Sequence, residues 1–176
     1  MRAVVVYESM YGNTRQVAES IAEGLREASV DATVVPVREA NRDALEWADL
    51  VVVGGPTHVH ALSRAATRKS AVEQAAVHGL SVEDGAAETG LREWFDAGPS
   101  VRDVAAAAFD TRLDAPKMLT GQAARGIAVR LRRHGFHLVA EPESFLVDKR
   151  TVLLPDELAR AVAWGRSLAE RSLVAS

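Results

Sequence analysis

Cysteine is absent from all 176 residues of the chain. This absence excludes disulfides, thiolate metal sites, iron–sulfur clusters and thiol redox chemistry. Long apolar runs are also missing, because no segment reaches the roughly 18 residues of a membrane span. The first residues lack the apolar stretch of about 7–15 residues that a signal peptide carries. We therefore expect a cytoplasmic protein with no membrane partner.

A strong charge of either sign is lacking as well. The chain has 21 Lys+Arg and 24 Asp+Glu, for a formal net charge of -3. A net charge this small does not predict a nucleic-acid partner. Hydrophobic residues make up 48% of the sequence, which is enough for a substantial core. We expect a single domain spanning residues 1–176.

The N-terminal stretch contains neither of two familiar phosphate-binding loops. It has no GxxxxGK[ST] motif, because no lysine follows Gly12, and it has no GxGxxG motif, because the loop has one glycine. It does contain a strand, a polar turn and a helix in direct succession. The uncharged run Ala3–Tyr7 predicts a buried strand, and the apolar spacing from Thr14 onward predicts a helix.

Such a unit directs free backbone N–H groups and a helix dipole at one point, which suits a phosphate. The turn Glu8–Asn13 brings a hydroxyl at Ser9, and Thr14 brings another. We expect a site without a lysine, in which hydroxyls and backbone amides hold the anion. From the loop alone, an ordinary strand–helix turn without a ligand remains the alternative.

Further apolar runs predict four more strands, within residues 31–37, 49–53, 100–109 and 136–147. Helical segments alternate with them, which indicates a doubly wound parallel sheet. Pro36 places the second strand at or near an edge, and Pro142 breaks the last one. Two polar segments, Gly54–His58 and Asp110–Pro116, follow predicted strands. We expect them to be loops that share one crevice with the first turn, at the carboxyl ends of the strands.

The segment Ser9-Met10-Tyr11-Gly12-Asn13-Thr14 resembles the FMN-phosphate loop of flavodoxins, [ST]-x-x-G-x-T. The aromatic residue two positions before the serine, here Tyr7, also fits the family pattern. The resemblance implies an α/β flavodoxin-like fold: a doubly wound five-stranded parallel sheet of order 2-1-3-4-5 with helices on both faces. Two departures stand out. Tyr11 takes a position that is often threonine in short flavodoxins, and the loop after the fourth strand lacks a stacking tyrosine.

The resemblance also implies FMN as the cofactor and assigns its contacts. The phosphate would lie on the first loop, and the ring would lie between the loops after the third and fourth strands. The implied cofactor-binding residues are Ser9, Met10, Tyr11, Gly12, Asn13, Thr14, Pro56, Thr57, His58, Val59, His60, Phe109, Asp110, Thr111 and Arg112.

The leading hypothesis is a flavodoxin-like protein that carries electrons at low potential between redox partners, a reductase and an acceptor. One alternative is an NAD(P)H-dependent quinone or small-molecule reductase on the same fold, with a homodimer left open. Another is a degenerate domain that has lost FMN. Steady NAD(P)H oxidation by the purified protein with a quinone would favour the reductase.

Overall fold

A computed structural model describes residues 1–57, 61–99 and 104–175. Its strands form one sheet in the order β2-β1-β3-β4-β5, and β6 also pairs with β4. All of these pairings are parallel. The predicted order is confirmed, with β5 and β6 together in the fifth position, separated by a break that includes Pro142. The strands are β1 Arg2–Tyr7, β2 Asp31–Pro36, β3 Leu50–Pro56, β4 Ala105–Leu113, β5 His137–Leu138 and β6 Glu143–Val147.

Helices cover both faces of the sheet, as predicted. One core cluster joins the sheet to α4 and α6, and the other joins it to α1 and α7. Side chains alternate between the two clusters along each strand, so that Val4 lies on one face and Val5 on the other. The helices are α1 Asn13–Glu27, α2 Arg42–Leu45, α3 Ala65–His78, α4 Leu91–Asp96, α5 Lys117–Thr120, α6 Ala123–Arg133 and α7 Glu157–Ala175. Within the described residues, no helix is long and apolar enough to cross a membrane.

Pro36 ends β2, which is an edge strand and pairs only with β1 among the described strands. This position tolerates proline, because an edge strand leaves one side of its backbone without ladder partners. The edge placement inferred from the proline is therefore confirmed.

Strand β3 is longer than the sequence predicted. Gly54, Gly55 and Pro56 continue the strand and pair with residues 109–111 of β4. Gly54 is required by packing rather than by a turn, since a Cβ atom there would lie 2.1 Å from the ring of Phe109. The expectation that a loop begins at Gly54 is wrong.

Strand β4 is also longer at its carboxyl end. Asp110, Thr111 and Arg112 belong to it, pairing with Ser144, Phe145 and Leu146 of β6. Their polar side chains suggested a loop, but all three are buried. Strand β6 pairs with all three residues and β3 pairs with Asp110 and Thr111, so polar residues remain in the strand. The expectation of a loop from Asp110 is wrong, and the chain leaves the strand only after Leu113.

Helices α1 and α7 pack with their backbones almost in contact. A Cβ atom at Gly24 would lie 1.9 Å from the carbonyl oxygen of Val162, and one at Gly165 would lie 2.2 Å from that of Ile21. Only glycine permits such an approach at these two positions. The pair fixes α1, and with it the turn from which α1 begins.

Candidate functional site

A cavity of about 220 Å³ opens at the carboxyl ends of β1, β3, β4 and β6. This is where the strand order reverses direction, the usual ligand position in an open α/β sheet. The first turn, the end of β3 and the end of β4 all contribute to its wall, as predicted. The predicted residues that line it are Met10, Tyr11, Asn13, Thr14, Pro56, Thr57, Thr111 and Arg112.

The N-terminus of α1 faces this cavity without a cap. Gly12 precedes the helix with φ 89°, and no side chain accepts a hydrogen bond from the first turn. The first turn contains no acidic residue. Among the described residues, no acceptor meets the backbone N–H groups of Asn13 and Thr14. These open donors and the positive end of the helix dipole suit an anion.

Ser9 shapes the turn instead of lining the cavity. Its Oγ accepts a hydrogen bond of 3.1 Å from the backbone N–H of Gly12, and the side chain is buried. The left-handed backbone of Gly12 then directs the chain into α1. Ser9 and Gly12 thus set the path of the loop.

Two threonine hydroxyls meet inside the cavity wall. Thr14 Oγ1 lies 2.8 Å from Thr111 Oγ1, and both side chains are buried. Each hydroxyl can donate as well as accept, so the pair can reorient toward an oxyanion. Thr14 reaches this place from α1, and Thr111 reaches it from β4.

Tyr11 anchors the turn to a neighbouring helix. Its hydroxyl donates a hydrogen bond of 3.0 Å to the carbonyl oxygen of Ala71 in α3. Burial raises the pKa of the Tyr11 phenol above its ordinary value. The hydroxyl is therefore engaged away from the cavity, while the residue still contributes to its wall.

Asp110 belongs to a polar cluster behind the cavity wall. Its Oδ2 accepts hydrogen bonds from Thr57 Oγ1 at 3.0 Å and from the backbone N–H of Ala124 at 2.8 Å. Thr57 Oγ1 in turn accepts one from the N–H of Ala123 at 2.9 Å. Burial raises the pKa of Asp110, although these hydrogen bonds oppose the rise. Asp110 thus caps α6 and holds Thr57 in the wall, and its own side chain is not part of the lining.

Arg112 lines the cavity from a buried position with an exposed fraction of 8%. Its Nη1 donates to the carbonyl oxygens of Leu113 and Ala115, at 3.2 and 2.8 Å. Its Nε is buried and meets no acceptor among the described residues. The side chain brings a positive charge to the cavity wall with one donor unused.

Phe109, which the resemblance placed among the cofactor-binding residues, is a core residue instead. Its ring is fully buried and packs edge-to-face against Phe145 and Trp164, at centroid distances of 6.1 and 6.4 Å. The side chain does not line the cavity. His58, Val59 and His60, which were predicted to contact a flavin ring, lie outside the described residues.

The end of β6 and the segment after it contribute residues that the sequence reasoning missed. Val147, Asp148, Lys149 and Thr151 line the cavity. Asn13 Nδ2 donates a hydrogen bond of 2.8 Å to the carbonyl oxygen of Thr151, which joins this segment to α1. No motif marks it, but the sheet order places the end of the last strand beside the crevice. The expectation of a site without a lysine is wrong, because Lys149 lies in its wall.

Two buried charged residues, Glu8 and Arg68, lie behind the first turn. Glu8 accepts hydrogen bonds from Ser63 Oγ and, at 2.8 Å, from the backbone N–H of Leu91. Arg68 donates to Ser63 Oγ at 2.9 Å and to the carbonyl oxygen of Glu88 at 2.8 Å. Its exposed fraction is only 1%. This Glu8–Ser63–Arg68 cluster joins the end of β1 to α3 and to the start of α4.

The donor set fits a phosphate ester. The cavity wall combines open amides, two hydroxyls and two cationic side chains, Arg112 and Lys149. Its one carboxylate, Asp148, is turned to its own loop, since Oδ1 accepts from the N–H groups of Arg150 and Val152 at 2.8 and 3.0 Å. A phosphate group would therefore meet donors and positive charge, with little repulsion.

In sequence, part of the chain is similar to flavodoxins. A family model described as a flavodoxin domain matches residues 4–84. A flavodoxin of Aquifex aeolicus is 37% identical over 65 residues, which cover 35% of this chain and 34% of that protein. The chain thus spans only about a third of the length of that relative.

Solved structures resemble the chain over nearly its full length. A flavodoxin from the domain Archaea superimposes with a TM-score of 0.68 and 22% identity, covering 98% of this chain and 99% of that one. Flavodoxin 1 of Bacillus cereus gives a TM-score of 0.67 and 20% identity, covering 97% and 98%. At this identity the structures establish the fold. The chain is thus flavodoxin-like: it has the flavodoxin fold, and residues 4–84 match a flavodoxin domain in sequence.

Proposed function

We propose that this chain, as one flavodoxin-like domain, binds FMN and transfers electrons between redox partner proteins. The observation that carries the proposal is the uncapped N-terminus of α1, whose open amides face a cavity at the switch point of the sheet. The flavodoxin-domain match covers this turn and the end of β3. The flavodoxin fold supports the same cofactor.

The residues of the site fall into two groups, one for the phosphate and one for the ring of FMN. The backbone amides of Asn13 and Thr14, with the hydroxyls of Thr14 and Thr111, would hold the phosphate. Pro56 and Thr57 at the end of β3, with the following His58–His60, would contact the ring. Bound flavin supplies the redox chemistry, whereas the chain supplies binding, orientation and electrostatics.

The chain's own residues would keep that geometry fixed. Asp110 holds the Thr57 hydroxyl, and Tyr11 ties the turn to α3. Pro56 has no backbone N–H, so it would offer no hydrogen-bond donor to a carbonyl oxygen of the ring. The few aromatic residues around the cavity favour weaker binding than two stacking rings would give, because each stacked ring adds about 0.5–1.5 kcal/mol.

Titration of the purified protein with FMN, followed by visible absorbance and flavin fluorescence, tests the proposal. We expect saturable binding with a shifted flavin spectrum. A protein that leaves the FMN spectrum unchanged at millimolar concentration would overturn the proposal and favour a domain that has lost its cofactor.

A second assay separates a carrier from an enzyme. We expect the FMN-loaded protein alone to show no steady NAD(P)H oxidation with a quinone, and to pass electrons only when a reductase is added. Rapid turnover without a reductase would contradict the carrier role and favour an NAD(P)H-dependent reductase.

A further inference from the structure

The segment after β6 is joined to the N-terminus of α1 by a hydrogen bond and is folded on itself by several more. Asn13 Nδ2 donates to the carbonyl oxygen of Thr151 at 2.8 Å. Within the segment, the backbone N–H of Asp148 donates to the carbonyl oxygen of Val152 at 2.8 Å. Asp148 Oδ1 accepts from the N–H groups of Arg150 and Val152. These bonds give the turn a defined shape at the cavity wall.

Lys149 is the cation that the turn brings to the cavity wall. Its neighbour Arg150 pairs with Asp148 at 3.4 Å, whereas Lys149 has no ion-pair partner in the part of the chain that the structure describes. Positive charge beside the positive end of a helix dipole is unfavourable in isolation. An anion bound between them would attract both the Lys149 ammonium group and the N-terminus of α1.

Arg112 provides an independent indication of an anion in the same cavity. Its side chain is more than nine-tenths buried and lines the cavity, and its Nε meets no acceptor among the described residues. Burying a donor without a partner is costly. The uncapped start of α1, the unpaired Lys149 and the buried Arg112 side chain all line one cavity.

We infer that Lys149 binds the phosphate group of the flavin nucleotide and makes the site selective for FMN over riboflavin. The inference rests on the proposed function and adds to it a charged contact outside the loop that carries the sequence motif. An amide-and-hydroxyl cradle recognises a phosphate by shape, whereas a lysine also makes the affinity depend on charge and on salt.

Substitution of Lys149 tests this contact. In K149M we expect FMN to bind about 3–10-fold more weakly at low ionic strength, because an exposed charge contributes modestly, while riboflavin affinity stays unchanged. K149R should retain most of the FMN affinity. K117M is the matched control, because Lys117 is exposed on α5 and does not line the cavity.

The salt dependence provides a second measurement. We expect FMN affinity of the parent protein to fall as salt is raised toward 0.5 M, and that of K149M to fall less. The inference would be overturned if K149M lost affinity for FMN and for riboflavin equally. It would also be overturned if K149M bound FMN as tightly as the parent protein.

Inorganic phosphate separates failure of this inference from failure of the proposed function. Millimolar phosphate should raise the thermal unfolding midpoint of the parent protein more than that of K149M. If the parent bound no FMN but showed this Lys149-dependent effect, the proposed function would fail and the anion contact would stand. If phosphate stabilised both proteins equally and FMN did not bind, both would fail.

Discussion

Thr14 is the side chain whose role is easiest to isolate. Its hydroxyl is buried and pairs with Thr111 at 2.8 Å, on the helix turn that faces the cavity. We expect T14V to weaken FMN binding by about 1–3 kcal/mol, because a buried hydrogen bond to a charged group is lost. Fluorescence titration measures the effect. The control is T33V, at an exposed position of β2, and equal affinities for T14V and the parent would remove Thr14 from the phosphate site.

Asp110 gives a prediction about pH. Burial raises the pKa of its carboxyl in the folded protein, so the folded state holds this proton more tightly than the unfolded state. Between the ordinary and the raised pKa, the unfolded state binds fewer protons and stability falls as pH rises. D110N removes that loss while its side-chain oxygen can still accept from Thr57 and Ala124. We expect the unfolding free energy of D110N, relative to the parent, to increase with pH across this window.

Urea unfolding at a series of pH values measures this difference. D114N serves as the control, because Asp114 is exposed just beyond β4. A D110N profile parallel to that of the parent at every pH would show that Asp110 does not change its protonation between the two states in this range.

The contact between α1 and α7 leaves no room for an added methyl group. In G24A the new methyl group would lie 1.9 Å from a backbone oxygen of α7, so the helices must separate. We expect a loss of about 2 kcal/mol in unfolding free energy, from an overpacking cost of about 3 kcal/mol less about 1 kcal/mol gained in helix propensity.

The matched control is another helical glycine with room beside it. At Gly126 in α6, the nearest atom to an added Cβ is Arg130 Nη1, at 3.5 Å. G126A should therefore gain about 0.5–1 kcal/mol from helix propensity. Denaturant unfolding of both variants gives the comparison, and a G24A protein as stable as G126A would contradict the packing interpretation.

Across the whole molecule, the Glu8–Ser63–Arg68 cluster connects the end of β1 to α3 and to the start of α4. We expect R68M to lower the unfolding free energy by about 3–5 kcal/mol, because it breaks the 3.1 Å ion pair with Glu93 and leaves Glu8 buried without a cation nearby. The E8Q substitution should reduce the unfolding free energy less in the R68M background than in the parent protein, since the two charges are coupled through Ser63. Unfolding measurements on the double-mutant cycle, with the exposed K69M as control, test this; additive effects would show that the charges act independently.

Much of the fold could be predicted from the sequence because apolar periodicity decides it. The uncharged run at Val4–Val6 and the spacing of Val17, Ile21 and Leu25 fixed β1 and α1 closely, and the alternation of elements led to the correct strand order. The first turn could also be placed at the cavity, because its residues form a local motif.

The ends of β3 and β4 could not be predicted in the same way. Asp110 and Arg112 are charged, and charge inside a strand normally indicates a loop. Their partners, the amide of Ala124 and the carbonyl oxygens of Leu113 and Ala115, become available only when α6 and the following turn fold against the sheet. Lys149 was missed for a related reason, since no local pattern shows that Thr151 meets Asn13.

The glycine contact between α1 and α7 has a mechanical consequence. No side chain stands between the two backbones at Gly24 and Gly165, so nothing compressible separates them. A force that pushes α7 toward α1 is therefore transmitted to α1 directly, and α1 begins at the turn with the open amides. Helix α7 is in this way in direct backbone contact with the helix that begins at the mouth of the crevice, although none of its described side chains lines that cavity.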